Sequence, residues 1–445
     1  MKRKLALALV CAVAMSACTA HHDTSPGVSV DTGSIVNDKS LTPSQKAEKL
    51  ALGAEQLFTP QSFMYADSVA DMALTFDATN SRAQLIKAVL KPAILTKGIY
   101  KRIKGLYSIT AQGRASYQQA LDSINQYPNT ALTTFLLDGK EDINTEVDAQ
   151  KFIAAEVKAF DDMRLFFKTH KDLQLTVNIP EMWEQQRLDE RSRDCVAHAD
   201  YSQTPDGTYS WNCDFKGVMQ VKVDRGEMES FQQIASGYEM YLIVYNAYNV
   251  DGLLNYIKST DGKDLSTISN QQAFNSLMSN RRFGTIRDAA GLKQILTMGT
   301  DAITGARWAL ASQNSLCKTG DDSQVNRPGY VFSQGLCAPK GPADKEGDSA
   351  QDVLRTVEVA LQGGVLSMTT VNLDDGSVVN TNIKPSAPFA NPIKDIRDLG
   401  TFTWNSNTDS VSSIGDSTYG GLFPNGDGNK LSAIQNPDST IHAKK

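Results

Sequence analysis

The sequence has few of the residues from which most enzyme active sites are built. It holds 5 histidines in 445 residues, and of these only His170 and His198 lie in the part that we expect to fold into the body. A histidine-based acid–base site therefore has few candidates. The nucleophile-elbow, zinc-protease, phosphate-loop and dinucleotide-binding glycine patterns are all absent from the sequence. We therefore predict a protein that is not an enzyme, with carboxylate-only chemistry as the alternative, because 50 acidic residues offer many pairs.

Long apolar runs are missing beyond the first 17 residues, whereas a membrane-spanning helix needs about 20 apolar residues. Positive charge is outnumbered by negative charge, with 44 basic against 50 acidic residues. The net charge is -6, and it becomes -9 once the three basic residues Lys2, Arg3 and Lys4 are removed. Because phosphate backbones attract basic surfaces, this acidic balance predicts that nucleic acid is not a partner.

The first 17 residues have the order of a secretory signal: a basic start, an apolar run from Leu5 to Met15, and the small residues Ser16 and Ala17. The run is too short to anchor the chain by itself. We therefore predict that residues 1–17 are removed on export.

The cleavage region, Met15-Ser16-Ala17-Cys18, resembles the lipobox of bacterial lipoproteins, although that family usually carries Leu where Met15 stands. The resemblance implies that the chain is cut before Cys18 and that Cys18 is acylated, so lipid holds the protein to a membrane. The resemblance also implies the outer membrane, because Thr19 replaces the Asp that often retains such proteins in the inner one.

Four cysteines remain after the signal peptide takes Cys11 and lipid takes Cys18. They form two close pairs in the sequence, Cys195 with Cys213 and Cys317 with Cys337. In an oxidising compartment this spacing favours two local disulfides, although four cysteines allow three pairings. A zinc site built from Cys195, His198 and Cys213 is the alternative, but it lacks a fourth ligand. We expect no metal and no cofactor.

Composition and periodicity divide the chain into segments with different expected structures. After the signal, residues 18–43 are polar and predict a flexible tether. Residues 44–180 predict a helical-hairpin domain, and 181–363 a helical domain with a disulfide-stapled β-hairpin. Residues 364–445 predict a second β-hairpin followed by an irregular, partly disordered tail. The expected fold class is therefore mainly α, a helical-hairpin array with small β-hairpin insertions.

Residues 41 to 127 have helical apolar spacing, with Thr42-Pro43 opening the first helix and with Pro60 and Pro92 predicted as breaks between short helices. Small residues recur where two helices would touch. The pattern resembles a tetratricopeptide repeat, and it is carried by Ala54, Leu57, Ala66, Ala70, Ala73, Leu74, the turn Asp77 to Asn80, and Ala83. Ala78 replaces the turn proline of that family, and no second copy follows at its period. The resemblance implies close packing of helical hairpins.

Alternation with a period of two predicts strands in two places. Tyr209, Trp211 and Cys213 alternate with polar residues, and a turn at Lys216-Gly217 predicts a hairpin with residues 218–223. Residues 365–373 and 378–383 flank Asp374-Asp375-Gly376 and predict a second hairpin. From Gly400 onward the composition predicts irregular structure.

Several further helices are expected from their apolar spacing, over residues 145–170, 270–279, 285–316 and 349–362. Asp224 with Glu227 resembles a capping box and should begin another helix. That helix carries Tyr238, Tyr241, Tyr245 and Tyr248 on one face. The stripe is interpreted as core packing between helices, and the alternative is an aromatic groove for a hydrophobic, peptide or small-molecule ligand.

Positive charge is concentrated in one stretch. Between Ala78 and Leu121 there is no Asp or Glu. The same stretch holds a candidate surface for anionic lipid headgroups or an acidic partner, made of Lys87, Lys91, Lys97, Lys101, Arg102 and Lys104. The alternative is that these cations pair with the acidic residues between Asp138 and Asp162.

The sequence thus predicts a membrane-anchored lipoprotein that acts as a non-enzymatic scaffold or binding component of the bacterial cell envelope, with an envelope protein as partner. One alternative is a ligand-binding lipoprotein that serves a transporter through the tyrosine groove. A second is an envelope hydrolase with a carboxylate site.

Overall fold

The computed structural model describes residues 30–60, 62–125, 131–180, 186–187, 193–194, 199–203, 209–213, 218–263, 268–316, 354–373, 376–407, 409–432 and 437–443. These residues form a mainly helical protein with small antiparallel strand pairs, which confirms the predicted fold class. Whether the helical hairpins form a tetratricopeptide-like array stays a prediction.

Three helices in succession form the first core. A short helix, α1 (Thr32–Asn37), precedes α2 (Pro43–Gln56), which begins where Thr42-Pro43 predicted it, with a capping box between Thr42 and Gln45. Helices α3 (Phe63–Phe76) and α4 (Ser81–Leu95) follow, and α2 packs on both of them. Alanine makes this close approach possible, because seven alanines are buried between the helices: Ala47, Ala51, Ala54, Ala66, Ala70, Ala73 and Ala83.

The two prolines predicted as helix breaks differ. Pro60 lies between α2 and α3, as predicted. Pro92 lies inside α4 and is part of its buried face, so the predicted break there was wrong. Proline removes one backbone donor from a helix, and burial of the apolar face of α4 outweighs that loss.

A run of short helices leads to a long one. Helices α5 (Ile99–Arg102), α6 (Lys104–Tyr107), α7 (Ala111–Asn125) and α8 (Ala131–Leu137) precede α9 (Glu146–Thr169). Thr145 and Asp148 form a capping box at the start of α9. The helix predicted over residues 145–170 is therefore confirmed.

The strands of the middle of the chain pair in a way that the sequence did not predict. Strand β1 (Leu175–Pro180) pairs with β6 (Val218–Val223). Between them, the two-residue strands β2 (Gln186–Arg187) and β3 (Arg193–Asp194) pair with each other. Strand β4 (Ala199–Gln203) pairs with β5 (Tyr209–Cys213). The strands predicted over 209–213 and 218–223 exist. Their pairing as one hairpin was wrong, because alternation shows that a segment is extended but not which strand it meets.

Helix α10 (Arg225–Asn246) begins at Asp224, whose carboxylate accepts hydrogen bonds from the backbone of Gly226 and Glu227. It packs antiparallel to α9, with Phe231 stacked on Phe167. Together with the β1–β6 pair, α9 and α10 share a core that includes Met228 and Val221. The boundary predicted at 180/181 thus falls between elements that pack against each other.

The helices predicted over residues 270–279 and 285–316 are present, each with one end shifted. The start predicted at Ser349 lies outside the described residues. Helix α11 (Leu253–Ser259) and helix α12 (Asn270–Met278) lead to α13 (Ala289–Leu316), and a further helix, α14, covers residues 354–361. Helix α13 begins four residues after the predicted start and packs on α10. A buried cluster with Ile243 and Met298 joins these two helices.

The last part of the chain is more ordered in its backbone than its composition predicted. Strands β7 (Leu366–Asn372) and β8 (Val378–Ile383) form the expected hairpin, and β11 (Pro437–Ala443) adds to the other edge of β7. Strands β9 (Phe402–Asn405) and β10 (Ser410–Ile414) pair as well, and short helices α15 (Ala387–Ala390) and α16 (Gly428–Ser432) flank them. The prediction of irregular structure beyond Gly400 was wrong for these residues, because tertiary strand pairing overrides a composition rich in Gly, Asn and Ser.

Candidate binding surface on helix α10

The structure separates the four tyrosines of the predicted stripe. The ring of Tyr238 stacks on Phe160 of α9, with ring centroids 5.3 Å apart. Tyr241 and Tyr245 contact each other, with centroids 4.5 Å apart. Tyr248 lies beyond the last residue of α10, in a backbone bridge with Ile286. All four side chains are partly buried, so they line neither a closed core nor a fully open surface.

Tyr241 is neutral at ordinary pH. The hydrogen bond to Tyr245, with a smaller contribution from burial, raises the pKa of Tyr241 to about 12. A phenol that holds its proton to this pH does not act as a general base near pH 7. The pair can donate and accept hydrogen bonds and present two ring faces, which suits binding.

Three residues that the sequence analysis did not single out lie beside these tyrosines. Ile234 is 37% exposed and Val244 is 49% exposed. Gly237 is exposed, and a Cβ built on it would meet no atom within 4 Å. We call the set Ile234, Gly237, Tyr241, Val244 and Tyr245 the outer face of α10.

The outer face carries no charge. Between Ser230 and Asn246 the only charged residue is Glu239, and Glu239 is fully buried on the opposite side of the helix. A long solvent-facing helix normally carries charged residues on its exposed side. This missing charge is the sequence signal that could have distinguished the outer face from an ordinary core stripe.

Polar residues, in turn, occupy the inner side of α10. Gln232, Ser236 and Glu239 are buried there. The carboxylate of Glu239 accepts a hydrogen bond from the Nε of Arg164 at 2.7 Å, and Arg164 also contacts Asp161 at 2.6 Å. Burial raises the pKa of Glu239, against the lowering effect of Arg164. Sequence periodicity missed this inversion because it treats tyrosine as an interior residue and glutamate as an exterior one.

A second buried carboxyl group lies on α9. Glu156 is 3% exposed, and its Oε1 atom has no hydrogen-bond partner. Burial raises its pKa to about 8, although the positive charge of Arg102 acts in the opposite direction. Glu156 is therefore protonated at neutral pH.

These carboxyl groups give little support to the hypothesis of a hydrolase with a carboxylate site. The unpartnered Oε1 atoms of Glu156 and Glu239 are both closed off from solvent, whereas a substrate must reach the group that acts on it. In the part of the chain that the structure describes, no three His, Cys, Asp or Glu side chains are grouped so that they could hold a metal ion.

The basic stretch is largely compensated by acidic neighbours. Lys87 pairs with Asp67 and Asp71 on α3. Four other cations pair with the acidic stretch that was the alternative explanation: Lys91 with Asp162, Lys97 with Asp138, Arg102 with Asp142, and Lys104 with Glu141. Lys101 is exposed, and it has no ion pair within the described residues.

Two groups of predicted site residues fall largely outside the described structure. Cys18, Cys195, Cys317 and Cys337 are outside the described residues, and Cys213 lies in β5 opposite Ala199. The lipid anchor and the two disulfides therefore stay predictions. Within the described ranges, no helix combines the length and the apolar character that crossing a membrane requires.

Comparison with protein family models, with curated proteins and with solved structures finds no match for this chain.

Proposed function

We propose that this protein is an exported lipoprotein, acylated on Cys18, that acts as a non-enzymatic scaffold or binding component at the outer membrane of a bacterial cell envelope. The proposed location rests on the order of basic, apolar and small residues that ends at Cys18. A single acyl chain gives only marginal membrane binding. Stable attachment to the membrane therefore needs the lipoprotein type of anchor, which has more than one acyl chain.

The binding role rests on the outer face of α10. An uncharged, aromatic and partly exposed helix face has the composition of the centre of a protein interface, where charged residues are depleted and tyrosine is enriched. A carrier of small molecules would be expected to enclose its ligand in a pocket, whereas Tyr241 and Tyr245 lie on a partly exposed helix face. The scaffold is therefore preferred over the transporter partner.

Acylation of Cys18 and the membrane location are tested with two cysteine variants. Cys18→Ser should abolish incorporation of labelled palmitate and move the protein out of the membrane fraction. The matched control is Cys11→Ser, which changes the other amino-terminal cysteine within the apolar run and should leave labelling and fractionation unchanged. Acyl labelling that survives Cys18→Ser would refute the anchor.

The binding role is tested by native mass spectrometry of the protein purified from membranes in detergent. A scaffold should give the mass of the acylated chain alone or of a protein complex. A stoichiometric small molecule that co-purifies, and that is lost in Tyr241→Ala, would instead favour the ligand-binding alternative.

A further inference from the structure

The outer face of α10 has the spacing of a coiled-coil seam. Ile234, Gly237, Tyr241 and Val244 follow one another at steps of three, four and three residues. Side chains with this spacing form a narrow stripe along one side of a helix, and such a stripe typically packs against a second helix.

This seam is not the side by which α10 contacts its own fold. The residues buried against α9 and α13 are on the other side of the helix and include Gln232, Ala235, Glu239 and Ile243. Ile234 and Val244, by contrast, are 37% and 49% exposed. The helix therefore has one side that is already packed and a second, apolar side with the pattern for packing.

Gly237 lies in the middle of the seam without an intramolecular reason. Glycine is unfavourable in a helix interior compared with alanine, and a Cβ at position 237 would meet no atom within 4 Å. Its lack of a side chain leaves a shallow gap between Ile234 and Tyr241. A gap of this kind lets a bulky side chain of another helix approach the backbone.

The residues along the seam differ in size, and two antiparallel copies of the seam fit together. If two α10 helices cross antiparallel about a point level with residue 239, Tyr241 meets Gly237 of the second copy and Val244 meets Ile234. The bulky ring of Tyr241 thus meets the gap at Gly237, and the same contacts are made twice around the two-fold axis.

Charge is compatible with the same arrangement. Like charges that face each other would oppose a symmetric contact, and the seam has none, because Glu239 is buried in its contact with Arg164. We propose that the outer face of α10 is the interface of a homodimer, in which a second copy of this chain packs antiparallel on the first. This inference rests on the folded body alone, so it stands or falls separately from acylation of Cys18.

The dimer should be reversible. The seam from Ile234 to Tyr245 is about 18 Å long at 1.5 Å per residue, and a single helix face of that length is smaller than the roughly 800 Å² per partner of a standard stable interface. We therefore expect the full chain in detergent to change from monomer to dimer over a range near about 10 μM, which sedimentation velocity resolves.

The decisive variant is Val244→Lys, compared with Leu165→Lys. Val244 and Leu165 are 49% and 41% exposed, and each lies near the end of a long helix, α10 and α9 respectively. Lysine at 244 places a charge against Ile234 of the second copy, in the apolar seam, and should raise the dimer dissociation constant at least tenfold. Lysine at 165 should change it less than about twofold, because α9 contributes nothing to the contact. Equal effects of both variants, or a protein that stays monomeric to about 100 μM, would overturn the proposal.

A photo-crosslinking residue placed at Tyr241 identifies the occupant of the face in intact cells. The expected product has twice the mass of the chain, with peptides around Gly237 joined to position 241. A product that contains a different protein would show that the face binds another partner, and the homodimer would then be rejected.

Discussion

Arg82 joins three segments of the chain through one buried side chain. Its guanidinium donates to the carboxylates of Glu55 and Glu48 on α2 and, at 2.7 Å, to the carbonyl oxygen of Thr176 on β1. The other oxygen of Glu55 accepts from the backbone N–H of Asn178 at 2.8 Å. The Glu55 side chain is fully buried and that of Arg82 is 15% exposed, so the pair ties the first helical core to the strand pair behind it.

Removal of Arg82 should be strongly destabilising. Arg82→Ala leaves the Glu55 carboxylate buried without its cation, and breaking a buried pair in this way costs about 3–5 kcal/mol. The control is Lys91→Ala, which removes an ion pair with Asp162 in which the lysine side chain is 51% exposed and should cost less than about 1 kcal/mol. Urea unfolding measures both. Equal losses in the two variants would mean that the Arg82 network contributes no more than a surface pair.

Glu156 should make stability depend on pH with a definite sign. Burial raises its pKa from 4.5 to about 8, so the folded protein keeps a proton that the unfolded chain loses between these values. The free energy of unfolding should therefore fall as pH rises from 4.5 to 8, with a slope contribution of at most about 1.4 kcal/mol per pH unit. Glu156→Gln removes the ionisable group and should remove that slope.

The comparison for Glu156 is made as a full pH series of denaturant unfolding. The variant and the original protein should have similar stability near pH 4.5, and the variant should be the more stable one at pH 8. An unchanged slope would show that Glu156 does not titrate in this range.

Gly237→Ala should separate stability from association. Alanine at this exposed helical site should raise the free energy of unfolding of the monomer by about 0.5–1 kcal/mol, because it restricts the unfolded chain and has the higher helix propensity. The same methyl group fills the gap in the seam and should weaken the dimer. Thermal unfolding at low concentration and sedimentation at high concentration measure the two effects. A variant with tighter association would contradict the proposed role of Gly237.

The four cysteines of the body should form two local disulfides. Peptide mapping without reduction should recover Cys195 joined to Cys213 and Cys317 joined to Cys337. Each bond closes a loop of about 20 residues, and its reduction should lower the free energy of unfolding by about 3 kcal/mol. Free thiols at all four positions, detected by alkylation of the native protein, would contradict this prediction. They would also contradict the expectation that the exported protein is oxidised.

The starts of two helices were predicted from local signals. The helices that begin after Thr42 and Asp224 were predicted at these residues, because a capping side chain satisfies backbone donors only two or three residues away. A helix in the region of α4 was predicted, but its continuation through Pro92 was not. Its continuation depends on burial against residues that are distant in the sequence.

The candidate surface was predicted only in part. The tyrosines were found from their spacing, but the sequence could not tell whether Tyr241 lies in a core or faces solvent. That outcome depends on Arg164, which lies 75 residues from Glu239 along the chain and neutralises it inside the helix interface. The local spacing of apolar residues does not indicate an ion-pair partner that is distant in the sequence.

The sequence by itself determined the helical class, the caps, the extended segments and the pattern that ends at Cys18, because these depend on residues within a few positions of one another. Tertiary structure alone decided that β6 pairs with β1 and that Lys91 and Arg102 are compensated by Asp162 and Asp142. It also decided that α10 buries Glu239 and leaves Tyr241 on its outer face. These are contacts between distant residues. Each is selected by the burial and charge of the whole assembly, which no local pattern contains.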